Sequence, residues 1–338
     1  MKRLRQVHLH VAIAGLAALA IACGSAAPEG GGVIEIDGSS TVFPVTEAVA
    51  EEFQRANPGA RVTVGESGTG GGFQKFCRAE TAISDASRPI RQSEMDLCAA
   101  NGVTYVELPV AYDGLTVVVN AGNTWAPSMT VAELKTLWEP GAQGQVTRWN
   151  QVRPGWPDEE IHLFGPGTAS GTFDYFTEVL NGEAKASRGD YTSSEDDNVL
   201  VQGVATDRLA LGYFGLAYFE QNRDKLKAVA VDDGNPANGD GPILPSLETV
   251  NNGTYRPLSR PIFIYVSTDA MSRPEVQSFL EFYLREGPAL AAEVGYVPLT
   301  DAEQALVVQR LADRTPGTMF GGAGGPARSL EDLLRGGR

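Results

Sequence analysis

Three times in this chain an apolar, strand-like run passes through a turn of serine, threonine and glycine into a helix. No other feature constrains the fold as much. The first copy is Val33-Ile34-Glu35-Ile36 leading into Asp37-Gly38-Ser39-Ser40-Thr41-Val42-Phe43-Pro44, with proline near the first helical position. The second is Arg61-Val62-Thr63-Val64 leading into Glu66-Ser67-Gly68-Thr69-Gly70-Gly71-Gly72-Phe73. The third is Ile161-His162-Leu163-Phe164 leading into Gly167-Thr168-Ala169-Ser170-Gly171-Thr172-Phe173. At each junction the first turn of helix N–H groups has no intrahelical partner, and the positive end of the helix dipole points outward. Glycine permits close approach and the hydroxyls add donors, so each junction suits an oxyanion. Singly, each is also a plain helix cap. Together they point to convergence on one anion.

Strands separated by helices imply an α/β protein with a largely parallel, buried sheet. Residues 103–108 and the β-branched run Gly114–Asn120 read as two strands, the second crossing to another lobe. Pro261–Val266 mirrors that run and reads as the return. The spacing predicts later helices over 274–286, 288–294 and 301–312. The implied organisation is one lobe from 33–112 and 261–313, a second from 113–260, and a mobile Gly/Pro-rich tail over 314–338.

The N-terminus reads as an export signal. Lys2, Arg3 and Arg5 precede an apolar stretch, Val11–Ala22, too short to span a membrane stably. Small residues immediately before Cys23 resemble a lipobox, with Ala20 where leucine is usual; this makes Cys23 the lipidation candidate, residues 1–22 a lipoprotein signal peptide and residues 23–32 a flexible tether. The alternative is ordinary cleavage nearby. Export places the protein in the periplasm or on the outer face of the cell membrane. There Cys77 and Cys98 are expected to form a disulfide worth roughly 3 kcal/mol, with two free buried thiols as the alternative. The formal net charge of −15 makes nucleic acid and anionic lipid poor partners. His162 is the only histidine beyond the leader, so neither a metal nor another cofactor is expected.

The segments GSSTVFPVTEAVAEEF, GESGTGGGFQKF, ISDASRPI, FGPGTASGTFDYF, SEDDNVLVQGV and PLSRPIFIYVS, in that order, resemble the phosphate-binding protein (PstS) family of bacterial phosphate ABC transporters. The resemblance covers about residues 33–313. It implies a two-lobe periplasmic-binding-protein fold of the class II type, with two crossover strands and the ligand in the cleft. It also implies a monomer that captures inorganic phosphate and delivers it to transmembrane permease subunits. Carried over by position, the phosphate-binding residues are Ser40 and Thr41, then Thr69, Gly70 and Gly71, then Ser170, Gly171 and Thr172. Asp85 matches the wording of the family's acidic position, whereas an ungapped reading places Ser87 there. Some members carry an arginine four residues before Ser-Gly-Thr, where this chain has Pro166. Arg88 is then the candidate counter-charge, with Arg260 next.

Two rival functions follow from the same residues. Another tetrahedral oxyanion, such as sulfate or molybdate, would use similar donors. A phosphate-ester hydrolase would need a nucleophile with a base. Ser170 has no histidine near it in sequence, no Gly-x-Ser-x-Gly elbow occurs, and the turn at Gly68–Gly72 lacks a P-loop ending. The expectation is a binding protein and not an enzyme.

Overall fold

The computed structural model describes residues 32–168, 170–194, 196–320 and 329–336. The leader, Cys23 and all of the tether but Gly32 lie outside the described residues.

The chain begins with three strand–helix units: β1 (Val33–Gly38), α1 (Phe43–Ala56), β2 (Arg61–Gly65), α2 (Gly68–Phe76), β3 (Ile83–Ala86) and α3 (Gln92–Ala100). Pro44 fits the first turn of α1, where its missing N–H costs nothing, and Val45, Val49 and Phe53 form the buried stripe of that helix. β1 pairs in parallel with β2 and β3, placing Asp37 opposite Gly65 and Gly38 opposite Asp85. Parallel pairing brings three carboxyl ends to one edge, so the turns that follow them are neighbours. Gly38 (φ +153°) lies so close to the Asp85 backbone that a side chain would collide with it.

A long strand, β4 (Tyr105–Asn120), leads into β5 (Ser128–Thr130), α4 (Val131–Trp138), α5 (Trp149–Val152), β6 (His162–Pro166) and α6 (Gly171–Asn181). Then come β7 (Thr192–Ser194), α7 (Asp197–Thr206), β8 (Ala210–Gly215), α8 (Leu216–Gln221), β9 (Leu226–Ala228), β10 (Ala230–Asp232) and α9 (Leu247–Asn251). The strand β11 (Ser259–Ser267) and helices α10 (Pro274–Glu293), α11 (Asp301–Ala312) and α12 (Leu330–Gly336) finish the described chain.

The main sheet runs β2-β1-β3-β11-β4-β8-β6-β7, with β9 also on β4. It is mixed rather than largely parallel, because β11 is antiparallel to β3 and β4, and β8 is antiparallel to β4. Two halves meet at β4. Its residues 105–114 pair with β11, and its residues 115–120 pair with β8 and β9. The chain passes between the halves along β4 and again on entering β11.

Two strands were expected where one 16-residue strand exists. The strand runs through Pro109, which sits where the β4–β11 register shifts between Ile262 and Phe263, a bulge that tolerates a missing donor. Similarly, α10 runs unbroken through Pro288 instead of ending near 286. Pro288 cannot donate to the Leu284 carbonyl, and the Gln304 side-chain amide takes that acceptor at 2.5 Å.

The tail is also corrected where it is described. Gly317 donates to Tyr105 O, Thr318 Oγ1 and Met319 N donate to the Glu107 carboxylate at 2.7 and 2.8 Å, and Phe320 packs edge-on against Phe263. Leu330 and Leu334 of α12 are buried. A fully buried acid on β4 therefore holds 317–320 in place, which no local Gly/Pro pattern reveals. Cys77 and Cys98 are joined by a disulfide within a satellite core containing Phe73, Phe76, Phe263 and Tyr265.

Candidate anion-binding site

The carboxyl ends of β1, β2 and β3 open on a cavity of ≈ 280 Å³ between the halves. Ser40 and Thr41 come from the first turn, Gly68, Thr69 and Gly70 from the second, and Ser87 and Arg88 from the stretch after β3. The facing half contributes Asp174, Tyr175 and Glu178 of α6, and Arg260 enters from β11. Seven of the residues singled out in the sequence thus line one cavity: Ser40, Thr41, Thr69, Gly70, Ser87, Arg88 and Arg260.

The turns are tied to neighbouring elements by side-chain hydrogen bonds. Asp37, at the end of β1, accepts from Ser67 Oγ and from Lys75 Nζ (2.6 Å), which ties the second turn to the first strand. Thr69 Oγ1 accepts from Ser87 N (3.2 Å) and shares a hydrogen bond with Ser87 Oγ (3.1 Å), linking the second turn to the third strand. The first-turn N–H groups of α2 include those of Thr69 and Gly70, which have no acceptor within their helix. Gly71 is not among the residues lining the cavity, and a side chain there would meet Ser67.

The third turn is placed differently from the expectation. Ser170 Oγ accepts from Thr172 N (3.2 Å), capping its own helix, and neither residue lines the cavity. Gly171 instead abuts the first turn: Thr41 Oγ1 donates to Gly171 O at 3.4 Å, and a Cβ at Gly171 would stand 2.6 Å from Thr41 Cα. The halves touch here, backbone against backbone.

Asp85 is also corrected as a wall residue. It is completely buried, and its carboxylate accepts from Thr46 Oγ1 (3.0 Å), which in turn meets Tyr283 Oη (3.0 Å). Burial pushes this carboxyl up to about 8; the Thr46 hydrogen bond opposes the shift and nearby Asp37 adds to it. Of the two alternatives, only Ser87 faces the cavity.

Arg88 lines the cavity but is not a free cation. Its Nη1 and Nη2 donate to both Glu94 oxygens at 2.9 and 2.7 Å. Arg260 carries more of the site's architecture. Its guanidinium carbon lies 3.6 Å from the Tyr175 ring centroid, and its Nη2 donates to Thr41 Oγ1 at 3.2 Å. Its carboxylate neighbours are Asp113 (3.6 Å) and Glu178 (3.8 Å). Burial lifts the Asp113 carboxyl to about 6, with Arg260 pulling it back. Asp174 is raised by burial, against Lys185 and a hydroxyl contact from Ser40 at 3.5 Å. Among the described residues there is no cluster of side chains able to hold a metal ion.

A family model described as a PBP superfamily domain matches residues 25–286. Protein SphX of Synechocystis sp. is 51% identical over 303 residues, covering 89% of each chain. The phosphate-binding protein PstS of Staphylococcus saprophyticus is 37% identical over 274 residues, covering 80% of this chain and 82% of that one. The chain belongs to the PstS family. A crystal structure of a possible phosphate-binding protein from Planctomyces limnophilus superposes with a TM-score of 0.80 at 52% identity, covering 84% of this chain and 98% of that one.

Sequence reasoning about this PstS-family chain missed several wall and support residues. Asp174 and Tyr175 directly follow the third turn, and their spacing on α6 was the available signal. Glu94 lies six residues after Arg88 and was within reach of the same reasoning. Asp113 was not, because only the β4–β11 pairing sets it opposite Arg260.

Proposed function

We propose that this chain captures inorganic phosphate in the cavity between its two lobes and passes it to the permease of an ABC transporter. The observation that carries this reading is the shared wall, where hydroxyl residues of the first two turns and of the stretch after β3 line one small cavity with the N-terminus of α2, beside Arg88 and Arg260. Ser40, Thr41, Thr69 and Ser87 offer hydroxyls, and the amides at the start of α2 offer fixed partial positive charge. Helix ends alone do not compensate a buried anion, so a cation is needed. Arg260 supplies it, its plane fixed by stacking on Tyr175.

The carboxylates of Asp174 and Glu178 favour a protonated anion. Hydrogen phosphate donates one hydrogen bond to an acidic acceptor, whereas sulfate carries no proton and meets only repulsion there. This supports phosphate over the rival oxyanions. The relative PstS is named as a phosphate-binding protein, which supports binding over catalysis.

Residues 33–112 with 261–313 and residues 113–260 are read as the two lobes. Ligand contacts Ser40, Thr41, Thr69, Gly70, Ser87 and Arg260 directly. Gly171 serves closure by meeting Thr41, so binding and closing are one event. The exported chain acts as a monomer held to the membrane through lipid at Cys23. Calorimetric titration of ligand-stripped protein with phosphate, sulfate and arsenate tests the reading. Phosphate and arsenate are expected to compete for one site. Sulfate binding as tight as phosphate overturns it.

A further inference from the structure

Behind Arg260 lies a second, larger cavity of ≈ 470 Å³. It shares Ser87, Arg88, Glu178 and Arg260 with the anion cavity, so the two spaces adjoin. Tyr112, Leu330 and Leu333 line it from one half, and Val179, Asn251 and Arg256 from the other. Most of that lining surface is apolar, and Arg256 belongs to it. Arg256 Nε donates to Gly253 O at 2.9 Å, and among the described residues no carboxylate lies within ion-pairing distance of it. Arg88 and Arg260, by contrast, each have acidic partners. Arg256 shares the cavity lining with Tyr112.

The geometry points to a second ligand site here, for a small amphipathic anion: a carboxylate that pairs with Arg256 and an apolar body that covers Tyr112, Val179, Leu330 and Leu333. The volume lies in the range of pockets that enclose small molecules, which are mostly apolar with a few placed polar groups. An occupant touches both halves, so it favours their closed arrangement and thereby strengthens phosphate binding. The coupling is reciprocal: phosphate strengthens the amphipathic anion's binding by the same factor. This effect rests on the phosphate reading, whereas the site at Arg256 does not.

Benzoate is the probe, with benzyl alcohol as its uncharged counterpart, measured on the full mature chain. Ligand-observed NMR is expected to show saturable benzoate binding and no comparable binding of benzyl alcohol. Arg256→Met, which keeps an apolar stem, is expected to weaken benzoate roughly tenfold, the scale of one lost charge-assisted pair. Its phosphate affinity without benzoate stays unchanged. With benzoate saturating, phosphate affinity of the wild-type chain rises about fivefold or more. Absence of saturable benzoate binding, equal binding by Arg256→Met, or weaker phosphate binding in benzoate's presence overturns the proposal. A chain that binds benzoate through Arg256 but never phosphate overturns the phosphate reading alone and leaves the site standing.

Discussion

Arg260 packs over Tyr175, guanidinium carbon 3.6 Å from the ring centroid, and so joins β11 to α6. Tyr175 sits one turn into α6 and donates its hydroxyl to Pro257 O at 2.6 Å, so the ring is fixed at both ends. A cation held this way is oriented before any anion arrives, with its Nη2 already on Thr41. Little ordering cost remains to be met on binding.

Replacing Arg260 should therefore be the most damaging single change to binding. Arg260→Met is expected to cost roughly 2–5 kcal/mol of phosphate affinity, the range for truncating one partner of a buried charge pair. Arg260→Lys recovers part of it, because a point charge neither stacks nor grips two oxygens. Arg88→Met costs less, since Glu94 already takes both ends of Arg88. Calorimetry on the three variants checks the order; a larger loss at Arg88 than at Arg260 reverses the assignment.

Gly171→Ala probes closure. The added methyl would stand 2.6 Å from Thr41 Cα, so the halves must part or the backbone must shift. The expected result is about 1–3 kcal/mol weaker phosphate binding, the usual scale of overpacking. Small-angle scattering should show less compaction on adding phosphate than in the wild type. Unchanged affinity and compaction would remove Gly171 from the closing contact.

Asp85 gives a prediction in pH. Its folded-state carboxyl is raised from 3.8 to about 8. Its stabilising contribution is therefore present when it is protonated, complete below about pH 4, and lost as pH rises through 8. Asp85→Asn imitates the protonated form. The variant should match the wild type near pH 4 and exceed its stability at pH 9, by roughly 1–3 kcal/mol for a buried polar group freed of its charge. Denaturant unfolding at the two pH values decides; a constant difference between them contradicts the assignment.

The disulfide joins α2, which carries Thr69 and Gly70, to α3, which carries Glu94 and so positions Arg88. With a sequence separation of 21, its loss is expected to cost about 3 kcal/mol in the chain-entropy account. Replacing both cysteines by serine should lower the unfolding midpoint, and iodoacetamide should label neither cysteine before reduction. Ready labelling of the unreduced protein would contradict the linkage.

Much of this was legible because it is local. Serine, threonine and glycine at 39–41 and 67–71 mark turns whose composition alone suits an anion, and parallel pairing of the preceding strands does the gathering. What was hidden depends on distant partners. Thr172 takes the Ser170 hydroxyl and Thr41 fills the space beside Gly171, so the third turn closes on the first instead of lining the cavity. Arg88 was the candidate because Pro166 replaces the arginine that some relatives carry there, yet α3 turns Glu94 back onto it. Arg260 gains its setting from Asp113, Tyr175 and Thr41, which no motif connects. The tail looked mobile from its glycines and prolines, and the acid that holds 318–319 lies 211 residues upstream of Thr318.

The most direct test of the central claim is a calorimetric titration of the refolded, ligand-stripped mature chain with phosphate at neutral pH, with a parallel sulfate titration. Capture between two lobes predicts one saturable phosphate site per chain, markedly weaker sulfate binding, and loss of the phosphate signal in Arg260→Met. No saturable phosphate binding by a correctly folded chain, or sulfate bound as tightly as phosphate, would contradict it.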